Sequence, residues 1–226
     1  MESKISIQEL SEISMYNDNG ILTANNPFRI FGTIPNIGAS FLFGSKEWLN
    51  KSISKLTIRL TWCNDIPTDF NSYYSSYNYY LDQQTPCFKN TSFLVVFSAL
   101  IDGKWKSLNT KSFRLFDENK EDDSILQIST FNLNFDNDLF FASSTENSDE
   151  FKFTDKTRDG FIKMELVAPE NGFGFLLYAK VVIAIALYNA ALISSWHRKK
   201  KLKPAPNIPY SPLTEKIEIK ISCLNS

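Results

Sequence analysis

Ser54 to Trp62 reads Ser-Lys-Leu-Thr-Ile-Arg-Leu-Thr-Trp, and it is the stretch that decides the fold. Apolar and polar residues alternate along it. The apolar face carries Leu56, Ile58, Leu60 and Trp62. Alternation with a period of two residues is typical of a β-strand that buries one face against a core. The stretch therefore predicts such a strand.

Other segments of the chain repeat this kind of pattern. In Glu215–Ser222, isoleucines occupy every second position, and Phe93–Leu100 is a continuous apolar run that predicts a central buried strand. Further strands are predicted at Ser40–Phe43, Lys104–Leu108, Ile125–Phe135 and Phe161–Val167. Asp102-Gly103 and Asp159-Gly160 are turn signals. Together the segments predict a mainly β (α+β) fold, an antiparallel sandwich-like sheet of about six to eight strands with one long apolar helix near the C-terminus.

Three local features complete this prediction. Ile7–Leu10 resembles a fragment of helix, and Asn17–Gly20 has the residue types of a turn with positive φ angles. In Ile125–Phe135 the alternation is predicted to change phase near Phe131.

The long helix is predicted from Tyr178 to Trp196, since this segment is rich in Ala and Leu and has no Gly or Pro. Lys180 and Asn189 fall on opposite faces, so the helix is nearly apolar all round and is expected to be buried in protein or membrane. The apolar stretch Val181–Ile193 rises only about 20 Å, whereas a bilayer core is roughly 30 Å thick. A buried or interface helix is therefore favoured over a membrane span.

Composition and charge exclude several classes of function. The chain has 226 residues, 43% of them hydrophobic and 14% aromatic, which suits a folded domain with a sizeable core. With 24 basic and 25 acidic residues there is no overall basic excess for nucleic-acid binding. The cysteines Cys63, Cys87 and Cys223 have no zinc-like spacing and predict reduced thiols. The first 15 residues lack a signal-peptide core, which favours a reducing cytoplasm.

The sequence gives little support for catalysis. His197 is the sole histidine, and it stands in a run of Lys and Arg residues. Motifs of hydrolases, metalloproteases and nucleotide-binding proteins are absent from the sequence. We therefore predict a protein that is not an enzyme, with no catalytic, metal-binding or cofactor-binding residues and no small-molecule substrate. The basic run Arg198–Lys203 is interpreted as a solvated helix end, where cations complement the helix dipole.

A tyrosine cluster at Tyr73–Tyr80 allows two interpretations. Tyrosine and serine dominate adaptable binding surfaces, so the cluster could form a recognition loop. It could equally pack onto the edge of the sheet. The sequence alone leaves both open.

Four segments, in this order, carry a resemblance to one family. They are Asn26-Pro-Phe-Arg-Ile-Phe-Gly-Thr-Ile-Pro-Asn-Ile-Gly-Ala-Ser-Phe41; the strand Leu56–Trp62 with Asp65-Ile-Pro-Thr-Asp-Phe70 and Tyr73-Tyr74; Phe173-Gly-Phe-Leu-Leu-Tyr178; and Pro206-Asn-Ile-Pro-Tyr-Ser-Pro-Leu-Thr-Glu-Lys-Ile217. Together they resemble a region of the large baseplate J-like wedge proteins of contractile injection systems, relatives of phage tails and type VI secretion. The chain departs from the family pattern at Ile30, Ala39, Leu42 and Ile208. Family members are much longer, so the chain resembles one internal region of them.

The resemblance implies a structural role rather than a reaction. Its implied partners are other baseplate proteins, the hub and spike, and sheath-adaptor proteins, assembled in the cytoplasm into a virion-like or injection-system particle. The residues expected to provide fixed φ angles, tight turns and aromatic anchors are Pro27, Phe28, Phe31, Gly32, Pro35, Gly38, Trp62, Tyr73, Tyr74, Phe173, Gly174, Tyr178, Pro206, Asn207, Pro209, Tyr210 and Pro212. Phe31→Ala and Gly38→Val are expected to impair folding or assembly.

The chain is predicted to form one compact domain with four parts. Residues 1–25 form an N-terminal arm, residues 26–170 a β-rich domain, residues 171–200 the long helix, and residues 201–226 a proline-rich extended arm with the final strand. Two alternative functions stay open at this point. One is a carbohydrate- or receptor-binding β-sandwich that uses the tyrosine cluster, and the other is a single-span membrane-anchored protein.

Overall fold

Two antiparallel sheets form the body of the protein. The computed structural model describes residues 5–81, 87–108, 110–143, 151–194 and 201–224. Within these ranges one sheet has five strands and the other seven, so the described fold is mainly β, as predicted, with more strands than the sequence indicated. Their inward faces contribute to one continuous hydrophobic core. The arrangement is sandwich-like, as the alternating pattern requires.

The five-stranded sheet contains the strand that the opening stretch predicts. Its order is β1 (Ile5–Glu9), β12 (Leu213–Leu224), β6 (Ser52–Trp62) and β10 (Ile128–Phe140), and the short β4 (Phe28–Arg29) pairs with the start of β12. Trp62 is fully buried and donates from Nε1 to the Ser129 hydroxyl at 2.8 Å. The predicted strands Ser54–Trp62 and Glu215–Ser222 therefore pair side by side, within β6 and β12, at the centre of this sheet.

The seven-stranded sheet faces the same core. Its order is β3 (Gly20–Leu22), β2 (Ser14–Asn17), β5 (Ser40–Gly44), β11 (Phe161–Ala168), β7 (Leu94–Ile101) and β8 (Lys104–Ser107), and β9 (Phe113–Arg114) also pairs with β7. Asp102 and Gly103 have φ angles of 50° and 71°, which a tight two-residue hairpin turn requires. The hairpin predicted between β7 and β8 is confirmed, as is the turn at Asn17–Gly20 between β2 and β3.

Two local predictions are wrong. Ile7–Leu10 is not helical, because β1 pairs antiparallel with β12 from Ile5 opposite Leu224 to Glu9 opposite Lys220. A four-residue fragment is too short to nucleate a helix, whereas the edge of β12 offers it a ladder of hydrogen bonds. The irregularity in β10 lies between Asn134 and Leu139, not near Phe131, which is buried in regular alternation.

In the described residues, three α-helices connect the strands. The first two, α1 (Phe70–Tyr73) and α2 (Ser75–Leu81), lie between β6 and β7 and contain the tyrosine cluster. Asp69 caps α1, since its carboxylate accepts from the backbone N–H groups of Asn71 and Ser72. These hydrogen bonds lower the pKa of the Asp69 carboxyl even though its partial burial acts to raise it.

The third helix, α3 (Tyr178–Ser194), is not buried all round as expected. Val181 and Ile185 are buried on one side, whereas Ile183 and Leu187 on the other side are 59% and 67% exposed. Only the first of these sides meets α2 and the hydrophobic core. In the described parts of the chain, no helix has the length and apolar character needed to cross a membrane. The last predicted residues, Ser195 and Trp196, lie outside the described residues.

Candidate assembly surface

The tyrosine cluster holds the proline-rich arm of residues 203–212 against the protein. The hydroxyls of Tyr73 and Tyr77 donate to the backbone carbonyls of Ile208 and Asn207, each at 2.7 Å. In return, the Asn207 side chain donates to the carbonyl of Tyr73 at 2.8 Å. A proline-rich segment forms few backbone hydrogen bonds of its own, so these side chains fix its extended path. Tyr73 and Tyr77 therefore pack against the arm within the protein, whereas the second interpretation places such packing at the edge of the sheet.

Tyr73, Tyr74 and Tyr77 together form what we call the clamp, and Tyr74 is its centre. Its hydroxyl donates to the carbonyl of Phe173 and accepts from the backbone N–H of Tyr210, both at 2.9 Å. The side chain is fully buried, and burial raises the pKa of its phenol well above the ordinary range. Tyr74 therefore stays neutral and bridges two segments that are far apart in the sequence.

An aromatic cluster surrounds the clamp. Phe173 stacks on Phe93 with ring centroids 4.4 Å apart, and Tyr210 lies 5.7 Å from the ring of Phe70. The cluster extends through Phe116 to Trp62, at 5.1 Å. Ring pairs at such distances add to the stabilisation from apolar burial. The clamp is thus part of the core rather than a surface loop.

Gly174 allows the close approach of the segment that begins α3. Its φ is 84°, and a Cβ there would lie 3.2 Å from Cε1 of Tyr77. The N–H of Tyr178, which is half-buried, bonds to the Gly174 carbonyl at 3.0 Å. A side chain at this position would strain the backbone and press on the clamp.

The aromatic loop of residues 26–38 meets the same arm. The Ser211 hydroxyl donates to the carbonyl of Gly32 at 2.8 Å, and Arg29 donates to the carbonyl of Ser211 at the same distance. Phe28 and Phe31 are buried in the core beneath it. The four segments of the family resemblance, distant in sequence, are therefore connected to one another in the fold.

Not all predicted residues take part in this contact. Pro27 is exposed, and Gly38 lies at an exposed turn whose N–H bonds to the carbonyl of Leu166. Pro206 is half-buried, whereas Pro209 and Pro212 are buried. The carbonyl of Pro35, also buried, accepts from the N–H of Phe173 at 3.4 Å.

Helix α3 is attached to the arm through a residue that the sequence analysis treated only as an isolated polar position. Asn189 exchanges two hydrogen bonds with the backbone of Lys203, each at 2.8 Å. The Lys203 ammonium lies 4.0 Å from the centre of the Tyr79 ring, and Tyr79 contacts Tyr188 of the helix. The inner face of α3 is therefore held by specific contacts.

The outer face of α3 has no apolar surface of the described chain packed over it. We define the outer face as Ala179, Val182, Ile183, Ala186, Leu187, Ala190 and Ile193 of the helix, together with Leu176 in the turn just before it. Its large side chains are 37–74% exposed, and Lys180 flanks them. Contiguous exposed apolar surface of this kind marks interaction sites in folded proteins. The prediction of a buried or interface helix does not distinguish the two faces of α3, although the spacing of Ala179, Ile183, Ala186, Ala190 and Ile193 identifies the outer one.

Reactive groups do not converge in the described residues. No group of three His, Cys, Asp or Glu side chains there is placed to hold a metal ion. All three cysteines are free, and burial raises the pKa of each thiol. The histidine and the first residues of the basic run lie outside the described residues.

Comparison with known protein families and with curated proteins finds no match. The structural description of this surface therefore stands on the chain's own geometry.

Proposed function

We propose that the protein is a non-enzymatic structural subunit that assembles with other proteins through the outer face of α3. The observation that carries this proposal is the row of exposed apolar side chains, among which Leu176, Leu187 and Ile193 are 71%, 67% and 74% exposed. Such a surface is costly to leave in water, and burial against a partner would recover roughly 25 cal/mol per Å² of apolar area.

The anchoring of α3 supports a role in assembly. Asn189 fixes the helix to the arm, and the arm is fixed by Tyr73, Tyr74 and Tyr77. A binding surface carried by a held helix loses little conformational entropy when a partner docks. The outer face is therefore presented in one orientation.

We further propose a particular setting, the baseplate wedge of a contractile phage-tail-like injection particle. The family resemblance supports it, and so does the way in which the resembling segments meet around Tyr74 and Ser211. The partners would be baseplate, hub or spike, and sheath-adaptor proteins. Assembly would take place in the cytoplasm, within the particle.

Incorporation into particles tests this proposal. The chain is co-expressed with sheath, tube and spike genes from its own gene neighbourhood, and purified particles are assayed for it by quantitative mass spectrometry. We expect the chain at fixed stoichiometry, and we expect Leu187→Glu to reduce that amount strongly. The matched control is Ile21→Glu, which changes a 69% exposed side chain on β3. Absence of the chain from particles, or a gene neighbourhood without tail-like genes, would refute the baseplate setting.

A further inference from the structure

The spacing of residues on the outer face of α3 is that of a helix–helix seam. Ala179, Ile183, Ala186, Ala190 and Ile193 follow one another at intervals of four and three residues. This alternation keeps them on one line along the helix, as in the seam of a coiled coil. Alanine at three of the five positions leaves shallow holes between the isoleucines, into which the side chains of a second helix can insert.

The charge around this seam has a single sign. In the described parts of residues 171–214 the charged residues are Lys180, Lys201 and Lys203, with no Asp or Glu among them, although the whole chain has 24 basic and 25 acidic residues. Lys180 is exposed beside the seam, and Lys201 is exposed beyond the helix. Cations without a neighbouring acid in these described segments favour a partner whose flanking residues are acidic.

We propose that the outer face of α3 binds an amphipathic helix of another protein, with an apolar seam flanked by Asp or Glu residues. This inference rests on the proposed function, since it names the chemistry of the partner for the same surface. The partner helix would lie along α3, its apolar side chains between Ile183 and Ile193 and its carboxylates near Lys180.

The same observations disfavour two other occupants. A second copy of α3 packed in parallel would place Lys180 against Lys180, which costs free energy without a compensating acid. A lipid surface would attract the cations, but helices that lie in the membrane interface present Trp, Phe and Leu on their apolar face. In the seam of α3, three of the five residues are alanines, which favours the close approach of another helix.

The test uses the full chain and designed helical peptides as probes. One peptide has a Leu and Ala seam flanked by Glu, and the second has the same seam flanked by Lys. We expect the acidic peptide to bind at least about tenfold more tightly than the basic peptide, measured by fluorescence anisotropy at low salt. Ile183→Ser should weaken binding about tenfold, and the control Ile21→Ser should leave it unchanged. Lys180→Glu should reduce the preference for the acidic peptide.

Four outcomes would overturn the inference. They are no binding of either peptide, equal binding of both, binding that Ile183→Ser leaves unchanged, and concentration-dependent dimers in sedimentation that Ile183→Ser abolishes without any peptide binding. Binding to phosphatidylglycerol vesicles that depends on Ile183, again without peptide binding, would assign the face to a lipid surface instead. If particles contain the chain but the peptides do not bind, this inference fails and the proposed function stands. If the acidic peptide binds and particles lack the chain, the baseplate setting fails alone.

Discussion

The arm of residues 203–212 buries Pro209, Tyr210 and Pro212, although its Ile208 is exposed, whereas the outer face of α3, close by in sequence, exposes all its large apolar side chains. Tyr210 in the arm is 5% exposed, whereas Leu187 on the helix is 67% exposed. The arm meets aromatic rings and phenol hydroxyls supplied by α1 and α2, while the described chain supplies no apolar surface opposite the outer face. A segment rich in apolar residues therefore belongs to the core only where the same chain also supplies an apolar surface that packs against it.

The largest expected effect on stability is at Phe173, in the aromatic cluster that packs around the clamp and the arm. Phe173→Ala should lower the free energy of unfolding by about 3–5 kcal/mol, because it removes a fully buried ring that stacks on Phe93 and leaves a cavity. Urea denaturation measures the change. The matched control, Phe140→Ala, alters a ring that is 50% exposed, and it should cost much less. Equal losses for the two variants would contradict the assignment of Phe173 to the core.

Removal of one oxygen should have the next largest effect. Tyr74→Phe keeps the ring but leaves the Phe173 carbonyl and the Tyr210 N–H without their partner, at a cost of about 1–3 kcal/mol. The control Tyr80→Phe changes an exposed tyrosine and should leave stability within about 0.5 kcal/mol of the parent. A Tyr74→Phe variant as stable as this control would show that the hydroxyl does not hold the arm.

Strands could be predicted from the sequence wherever alternation meets a buried face. β6 and β12 carry this pattern over most of their length, and both were found in the expected places. β1 was missed because its conformation comes from pairing with β12, 210 or more residues away in sequence, rather than from its own pattern. The irregularity in β10 was misplaced for a related reason, since bulges depend on the partner strand.

The clamp was only half predictable. Prolines in the arm indicate an extended path, and the aromatic residues indicate anchors, but the hydrogen bonds of Tyr73 and Tyr77 go to backbone carbonyls 130 and more residues away. Every residue type has a backbone carbonyl, so the sequence does not show which carbonyls accept these hydrogen bonds. The capping position Asp69 was a usable signal for α1 that the tyrosine-rich composition obscured.

A smaller loss of stability is expected at the contact between α3 and the arm. Asn189→Ala removes both hydrogen bonds to the Lys203 backbone, and the better helix propensity of Ala offsets part of the loss, so the net cost should be about 1 kcal/mol. Hydrogen exchange should show faster exchange of the Lys203 amide. Asn137→Ala, on exposed residue Asn137 of β10, is the control and should leave that amide unchanged. If the exchange rate of the Lys203 amide is unchanged in Asn189→Ala, the side chain of Asn189 does not hold the helix to the arm.

A charged contact elsewhere in the protein, that of Glu47, allows the pH dependence of stability to be compared with that of the neutral Asn189 contact. The carboxylate of Glu47 accepts from the backbone N–H groups of Ser11 and Glu12 at 2.6 and 2.8 Å. Partial burial acts to raise the pKa of Glu47, but these bonds and those from the side chains of Ser11 and Gln8 lower it overall from 4.5.

Because the folded state lowers this pKa, the stabilisation is present at neutral pH and is lost as the pH falls through the folded value. Glu47→Gln should therefore lower the Tm by about 2 °C at pH 7 and by progressively less in acid. The deficit of Asn189→Ala, a neutral group, should not follow that pH profile. A Glu47→Gln deficit that stays constant down to pH 3 would show that the charge makes no contribution.

The smallest effect on stability is expected on the outer face itself. Ile183→Ser should change the free energy of unfolding by less than about 0.5 kcal/mol, because the side chain is 59% exposed and the two residues have similar helix propensities. The same variant should weaken partner binding about tenfold, as an interface residue does and a core residue cannot without unfolding the protein. A loss of stability comparable to that of Phe173→Ala would place Ile183 inside the fold and remove the contrast between the arm and the helix. Stability retained together with binding lost would show that α3 directs its apolar side chains toward another molecule.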